Sequence, residues 1–429
     1  MKEKLLHTPE GVRDIYNSEC KRKSAVEKRI HHILELYGYQ DIETPTFEFF
    51  DIFNSDTGTV SSVEMFKFFD RNNNTLVLRP DMTPSIARSV AKYYSACEFP
   101  LRLSYRGNTF LNNRSYQGKL TEKTEMGAEL INDDSPEADA EGIIMMIDCF
   151  LAAGLTDFRI DIGQAEFYKG IMDALEASEE VKEQIHEYIE NKNALGMEIL
   201  LSDLSMKDCY RNILLEYNDL YGDVTMLEKA KKLTINPRCQ AAIARLEEVY
   251  EVLKLYGYEK YVSFDLGMVN HFDYYTGIIF RGYTYGTGDA IGKGGRYDNL
   301  LAQFGKEASA SGFTILIQGK EVILIDDVLS ALSRQNISIS LKEYAYSLLL
   351  YKSEDRQNAI PLVVKLRDAG VRTELVSMTE GKTLEEYLAF GKNQGAEGIL
   401  YLDGENVTVY DMASGEQETK TLQEFREEY

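Results

Sequence analysis

Leu266-Gly267-Met268-Val269-Asn270-His271-Phe272-Asp273-Tyr274-Tyr275-Thr276-Gly277-Ile278-Ile279-Phe280 is followed closely by Gly294-Gly295-Arg296-Tyr297-Asp298-Asn299-Leu300-Leu301, and these two blocks decide how the chain reads. Tyr261–Leu266 and Tyr275–Thr284 are expected strands, the second alternating well enough to be half-buried. The glycines between them, Gly286-Thr287-Gly288 and Gly292-Lys293-Gly294-Gly295, neither follow a strand nor open a helix. A phosphate-cradling loop is therefore set aside in favour of a turn between antiparallel strands. His271 has no second histidine or cysteine nearby, so no metal site is expected there.

Outward from this stretch the chain mixes helices with strands. Val26, Ile30, Ile33 and Tyr37 line one face of a helix over Ser24–Tyr37, which Gly38 is placed to end. An extended segment runs from Ile42 to Phe47, Leu76–Leu78 reads as a strand, and a helix is expected from about Pro84 to Tyr94. Leu101–Phe110 and Thr124–Ile131 read as strands joined by a polar loop, Leu111–Lys123. A helix over Ala138–Ala153 and a strand over Phe158–Ile162 follow. From about residue 167 to 258 the pattern turns helical and charged, with Asn236-Pro237 as a cap and first-turn proline and Gly257 as a stop. After a strand at Gly312–Ile317 comes a helix to about Leu332, and a polar stretch over 333–344 reads as a linker. Residues 345–429 alternate strand and helix as a small α/β domain. The expected domains are thus a core over 1–332, with a helical insertion, and a smaller C-terminal unit.

At 429 residues the chain is long enough for a well-buried core. Its 44% hydrophobic and 27% charged residues are those of an ordinary globular protein. No stretch approaches the roughly 18 consecutive apolar residues of a membrane span, and no apolar run follows Met1-Lys2-Glu3-Lys4, so no signal peptide is expected. The cysteines, Cys20, Cys97, Cys149, Cys209 and Cys239, form no C-x-x-C pair and read as reduced thiols of a cytoplasmic protein. Forty-seven basic against seventy acidic residues give a formal net charge of −23. That balance weighs against a tRNA partner, which needs a lysine and arginine surface to displace phosphate counterions. It serves solubility equally well.

The motifs resemble those of class II histidyl-tRNA synthetases over almost the whole chain. That family's two histidine-binding blocks read L-V-R-G-L-D-Y-Y-T and G-G-R-Y-D-x-L, matched here except that Asn270 stands at the arginine. Thr8–Asp14 is similar to the family's opening. Tyr37–Pro45 with Phe47-Glu48 resembles its first motif, which implies a dimer interface. Arg79-Pro80-Asp81-Met82-Thr83 is similar to R-P-E-x-T, whose carboxylate and hydroxyl hold the substrate ammonium, a group with three donors. Glu129 falls where the family recognises imidazole, and Glu125 where it has glutamine. The resemblance implies a histidine pocket of Asp81, Thr83, Glu125, Glu129, Tyr274, Tyr275 and Tyr297.

The ATP-binding arginines do not carry over. Leu111 stands at the second-motif arginine, and Gly319, after Gln318, at the third-motif one; Lys119 replaces the loop arginine. Charge clamps on a reacting phosphate are usually the largest catalytic contribution. The expected fold is therefore α+β, a class II synthetase-like antiparallel sheet flanked by helices, without synthetase catalysis, cofactor or metal. Among its paralogues the chain most resembles the regulatory subunits of ATP phosphoribosyltransferase. That likeness implies a short-form catalytic subunit as partner, a homodimer within a hetero-oligomer, and histidine as effector in the first step of histidine biosynthesis. Two alternatives stay open. One is a divergent, active synthetase, which the anticodon-domain likeness of Arg367–Val371 and Asp411–Gln417 favours, and which Leu111, Asn270, Gly319 and the acidic C-terminal segment oppose. The other is a synthetase-like binding protein for another partner.

Overall fold

A computed structural model describes residues 6–53, 60–112, 120–204, 206–269, 274–317, 327–339 and 346–428. They form two compact units, Met1–Ile339 and Ser340–Tyr429. In the first, helix α1 (Asn17–Leu36) buries Val26, Ile30 and Leu34 and stops where Gly38 takes φ +79° and its N–H bonds Glu35. It starts before the expected Ser24 because its opening turns are polar and show no periodicity. Next come β1 (Gln40–Asp41), β2 (Phe47–Phe49), β3 (Lys67–Phe69), β4 (Thr75–Leu78), α2 (Thr83–Tyr93), β5 (Leu101–Phe110) and β6 (Glu122–Ile131). Helix α3 (Pro136–Ala153) is capped by Ser135, whose side chain accepts the Ala138 N–H, and closed by Gly154 at φ +111°. It is apolar on most faces because it is sandwiched: α1 and α9 pack on it from outside and the sheet from inside.

Strand β7 (Phe158–Gln164) leads into helices α4 (Ala165–Ala174), α5 (Glu179–Glu190), α6 (Ala194–Asp203) and α7 (Asp208–Leu215). The short β8 (Tyr221–Gly222), α8 (Thr225–Leu233) and α9 (Pro237–Tyr256) complete that region. Asn236 caps α9 by accepting the N–H groups of Arg238 and Cys239, and Gly257 ends it at φ +74°. Strands β9 (Val262–Asp265), β10 (Ile278–Thr284), β11 (Gly292–Arg296) and β12 (Ala310–Leu316) follow, then α10 (Val328–Arg334). Among the described residues the main sheet runs β1-β5-β6-β12-β11-β10-β7-β9-β8, antiparallel except for β1 beside β5 and β7 beside β9. Strands β2, β4 and β3 form a separate small sheet. The fold is α+β with helices flanking an antiparallel-rich sheet, as expected.

Three local expectations fail. The strand expected from Tyr275 begins only at Ile278, with Tyr274 and Tyr275 in the turn before it. Gly292-Lys293-Gly294-Gly295 is not a turn but most of strand β11, paired with both β10 and β12. Glycine is needed there because neighbours fill the space above. A Cβ on Gly294 would lie 2.4 Å from the Gly312 carbonyl, and one on Gly295 2.6 Å from the Tyr275 ring. The turn itself is at Gly286, at φ +86°. Helix α10 continues to Arg334, into the segment read as linker.

The main apolar core lies behind the sheet, among α1, α3, α9 and the inserted helices, where Phe150, Phe167, Tyr217 and Phe264 are fully buried. Each of the three phenylalanines contributes about 1.5–3 kcal/mol by leaving water. A second cluster lies in front, where α2 packs Met82, Ile86 and Val90 against Leu103, Tyr297 and Leu301. Because α2 covers only part of that face, the centre of the sheet is left open.

The second unit contains β13 (Tyr346–Tyr351), α11 (Arg356–Asp368), β14 (Arg372–Ser377), α12 (Leu384–Asn393), β15 (Gly398–Asp403), β16 (Asn406–Asp411), β17 (Gln417–Thr421) and α13 (Leu422–Glu428). Its strands are ordered β14-β13-β15-β16-β17. Strand β17 and helix α13 were not anticipated. The strand, Gln-Glu-Thr-Lys-Thr, is a polar edge with no buried alternation. The helix carries a reciprocal Thr421–Glu424 cap that does mark its start in the sequence.

Candidate functional site

The open front face holds a cavity of about 220 Å³ whose floor is made by β6, β12, β11 and β10. Register sets two rows of side chains across it. Glu129, Gly312, Gly295 and Ile279 are successive cross-strand partners in one row, and Gly127, Thr314, Lys293 and Arg281 in the next. The glycines create the depth. A Cβ on Gly312 would lie 1.7 Å from Glu129 Oε2.

Glu129 is the most buried carboxylate of the cavity. Its Oε1 accepts the Thr83 hydroxyl at 2.8 Å, and its Oε2 accepts the Tyr297 hydroxyl. Burial raises its pKa to about 8; the two hydroxyl bonds pull it down, and Asp81 pushes it further up. At neutral pH the group therefore mostly holds a proton while free of ligand. Thr83 opens helix α2, and its N–H bonds Asp81 Oδ1 at 3.1 Å, so the entry to that helix places both residues at the cavity. Arg79, just upstream, is buried and bonds the Thr44 and Asn108 carbonyls at 2.7 and 2.8 Å, which anchors the approach to α2.

Tyr297 stacks on Tyr274 with ring centroids 5.5 Å apart, and Tyr275 meets Tyr274 edge-on at 5.0 Å. Burial holds all three phenols above their ordinary pKa, so they stay neutral donors. Glu125 lies two residues before Gly127 on β6 and accepts the Thr109 hydroxyl at 3.0 Å and that of Thr314 at 3.5 Å. Burial raises its pKa, and the Lys293 charge opposes the rise.

Asp81, Thr83, Glu125, Glu129, Tyr274, Tyr275 and Tyr297 thus all line one cavity. Leu111 lines it as well, an aliphatic side chain where the resemblance calls for an arginine. Asn270, Lys119, Gln318 and Gly319 lie outside the described residues. Sequence reasoning missed Tyr105, Lys123, Arg281 and Lys293, which share the cavity. Lys293 was hidden inside a glycine stretch read as a turn. Arg281 was detectable as a cavity-side residue once Ile279 was, because it shares a face with Ile279 and Tyr283 on a strand already expected. The grouped carboxylates and hydroxyls suit an ammonium or imidazole, and the cations suit an anion.

Below this site the buried Asp139 of α3 bonds Arg296 of β11 and Arg245 of α9, each at 2.8 Å. The Thr276 hydroxyl donates to Asp298 at 2.9 Å. Arg296 and Asp298 of the second block are therefore structural, tying the cavity floor to the helices behind it.

Fold and cavity define a class II histidyl-tRNA synthetase-like protein. The histidyl-tRNA synthetase family model matches residues 11–319. An ATP phosphoribosyltransferase regulatory subunit of Acetivibrio thermocellus is 39% identical over 99% of both chains, and one of Ruminiclostridium cellulolyticum 38% identical over 95% of both. A crystal structure described as an ATP phosphoribosyltransferase regulatory subunit/histidyl-tRNA synthetase, from Bacillus halodurans, superposes with a TM-score of 0.81 at 31% identity. It covers 93% of this chain and 99% of its own. A Nostoc histidyl-tRNA synthetase shares the fold at 20% identity and a TM-score of 0.75, over 99% of each chain. The chain belongs to the histidyl-tRNA synthetase-like family and, within it, to the ATP phosphoribosyltransferase regulatory subunits.

Proposed function

We propose that the chain acts as the regulatory subunit of an ATP phosphoribosyltransferase in the cytoplasm, binding a short-form catalytic subunit and serving the first step of histidine biosynthesis. The observation that carries this reading is the 39% identity to a regulatory subunit along essentially the full length of both chains. In the same reading the cavity receives histidine, its imidazole toward Glu129 and its ammonium toward Asp81 and Thr83, and thereby reports end-product level. Feedback requires only that histidine bind the inhibited assembly better than the active one. The reading also makes the chain a non-catalytic relative of the synthetases. Leu111 supports that, since an aliphatic side chain supplies no phosphate clamp.

The chain would pair with a second copy through its small front sheet. Phe47, Phe49 and Phe69 there are 52%, 54% and 70% exposed, large apolar rings that a partner surface would cover. Co-expression with a catalytic subunit, followed by light scattering, tests the assembly: a co-eluting complex containing paired copies of this chain is expected. A chain that stays monomeric and alone overturns the assembly. In parallel, histidine-dependent ATP–pyrophosphate exchange should be absent. Exchange at synthetase rates would establish the divergent-synthetase alternative instead.

A further inference from the structure

Arg281 and Lys293 face each other across β10 and β11 as direct partners, and both line the cavity. Like charges set directly opposite on paired strands repel and destabilise the pair. Neighbouring groups offset this only through space, by the Glu125 charge acting on Lys293. Among the described residues neither cation makes an ion pair or a hydrogen bond. Thr314, next in the row, turns its hydroxyl to Glu125. Asp161, the partner of Arg281 on β7, already accepts the Ser263 hydroxyl. Glu125 is the carboxylate that feels the Lys293 charge, but its two oxygens are held by Thr109 and Thr314. The cations are therefore set up for an anion from outside the chain.

Their position limits what that anion belongs to. The Arg281–Lys293 row lies two residues along the strands from the Glu129 row, roughly 7 Å away at about 3.4 Å per residue. The Glu129 row is thus acidic and hydroxyl-lined and the next row cationic, with a spacing close to the length of an amino acid, while Glu125 stands in the row beyond, bonded to Thr109 and Thr314. The cavity is also smaller than the roughly 300–1,000 Å³ that pockets for drug-sized ligands occupy. We propose that Arg281 and Lys293 are the carboxylate-recognising end of this cavity, receiving the α-carboxylate of a small amino acid whose basic end points to Glu129, Asp81 and Thr83. The planar guanidinium forks onto the carboxylate, and the ammonium adds a point charge. This rests on the histidine reading above and names residues that supply a cation although Asn270 does not.

Titration calorimetry on the full chain, alone and mixed with the catalytic subunit, tests it with three probes: L-histidine, histamine and inorganic phosphate. Histamine keeps the imidazole and ammonium but lacks the carboxylate. The wild-type chain should bind histidine more tightly than histamine. Arg281→Ala and Lys293→Ala should each weaken histidine binding about tenfold, the factor that corresponds to one modest charge-assisted bond. Histamine binding should hold or improve, Lys293→Arg should keep most of the histidine affinity, and Arg281→Lys, which keeps the charge but loses the fork, should fall between the wild type and Arg281→Ala. Histidine binding that ignores both alanine variants overturns this inference and leaves the histidine reading standing. Equal losses for histidine and histamine also overturn it, because they mark a structural role. Phosphate binding that both alanine variants abolish, with no histidine binding, keeps the anion end but replaces the amino acid as its source. No binding of any probe overturns both readings.

Discussion

At the Glu129 end of the cavity both carboxylate oxygens accept bonds from protein hydroxyls, and the tyrosines that supply and support those bonds are stacked and buried. Roughly 7 Å along the same strands, Arg281 and Lys293 stand opposed with no ion pair or hydrogen bond among the described residues. The same four strands build both ends, yet one is internally satisfied and the other is not. Buried polar groups that are fully bonded hold a single geometry, whereas unpartnered charges at an open surface are tolerated because water solvates them until a ligand replaces it. The acidic end is thus preorganised by the fold. The cationic end is left for the ligand to complete.

The strongest way to break the comparison is to fill the floor beneath Glu129. In Gly312→Ala the new Cβ would lie 1.7 Å from Glu129 Oε2 and 2.6 Å from the Ala128 carbonyl, so the strand or the carboxylate must move. A loss of about 3 kcal/mol in unfolding free energy, at the upper end for overpacking, is expected together with loss of histidine binding. Denaturant unfolding that matches the wild type would show that the floor has room and that Glu129 is not fixed from below.

Glu129→Gln sharpens the comparison through pH. With its pKa raised from 4.5 to about 8, chiefly by burial, the folded carboxyl keeps a proton that the unfolded chain releases between those values. Its contribution to stability is present below about pH 4.5 and declines as pH rises through about 8. The glutamine variant lacks that decline. Its stability relative to the wild type should therefore improve from pH 5 to pH 8, by on the order of 3 kcal/mol at most. A difference that stays flat across this range would mean that the carboxyl is ionised in the fold and that both ends of the cavity carry charge.

The smallest effect belongs to the cationic end. Lys293→Ala removes one of two opposed like charges and should leave stability unchanged or raise it by roughly 0.2–1 kcal/mol at low ionic strength, the range for cross-strand pairs. Added salt should shrink the gain. Melting curves showing a clear loss for this variant would mean that the lysine packs as part of the fold.

How much of this was legible follows the physics of each element. Capped, periodic helices such as α3 and α9 announced both ends, because proline and glycine do their work locally. Strand β11 did not, since its glycines answer to atoms far away in the chain: the Gly312 carbonyl and the Tyr275 ring. The polar edge strand β17 escaped for a different reason, having no buried face to leave a pattern. At the cavity, the motif carboxylates and tyrosines were marked by their resemblance to known blocks. Arg281 and Lys293 were not, because neither belongs to a motif and only pairing sets them side by side.

The sequence by itself determined the family, the α+β class, and the seven residues expected to share a pocket, since these reside in local motifs and periodicities. Only the tertiary structure decided that the pocket has two unlike ends. Which side chains meet across β6, β12, β11 and β10 is a matter of strand register, and a slip of one residue would turn every one of them to the opposite face.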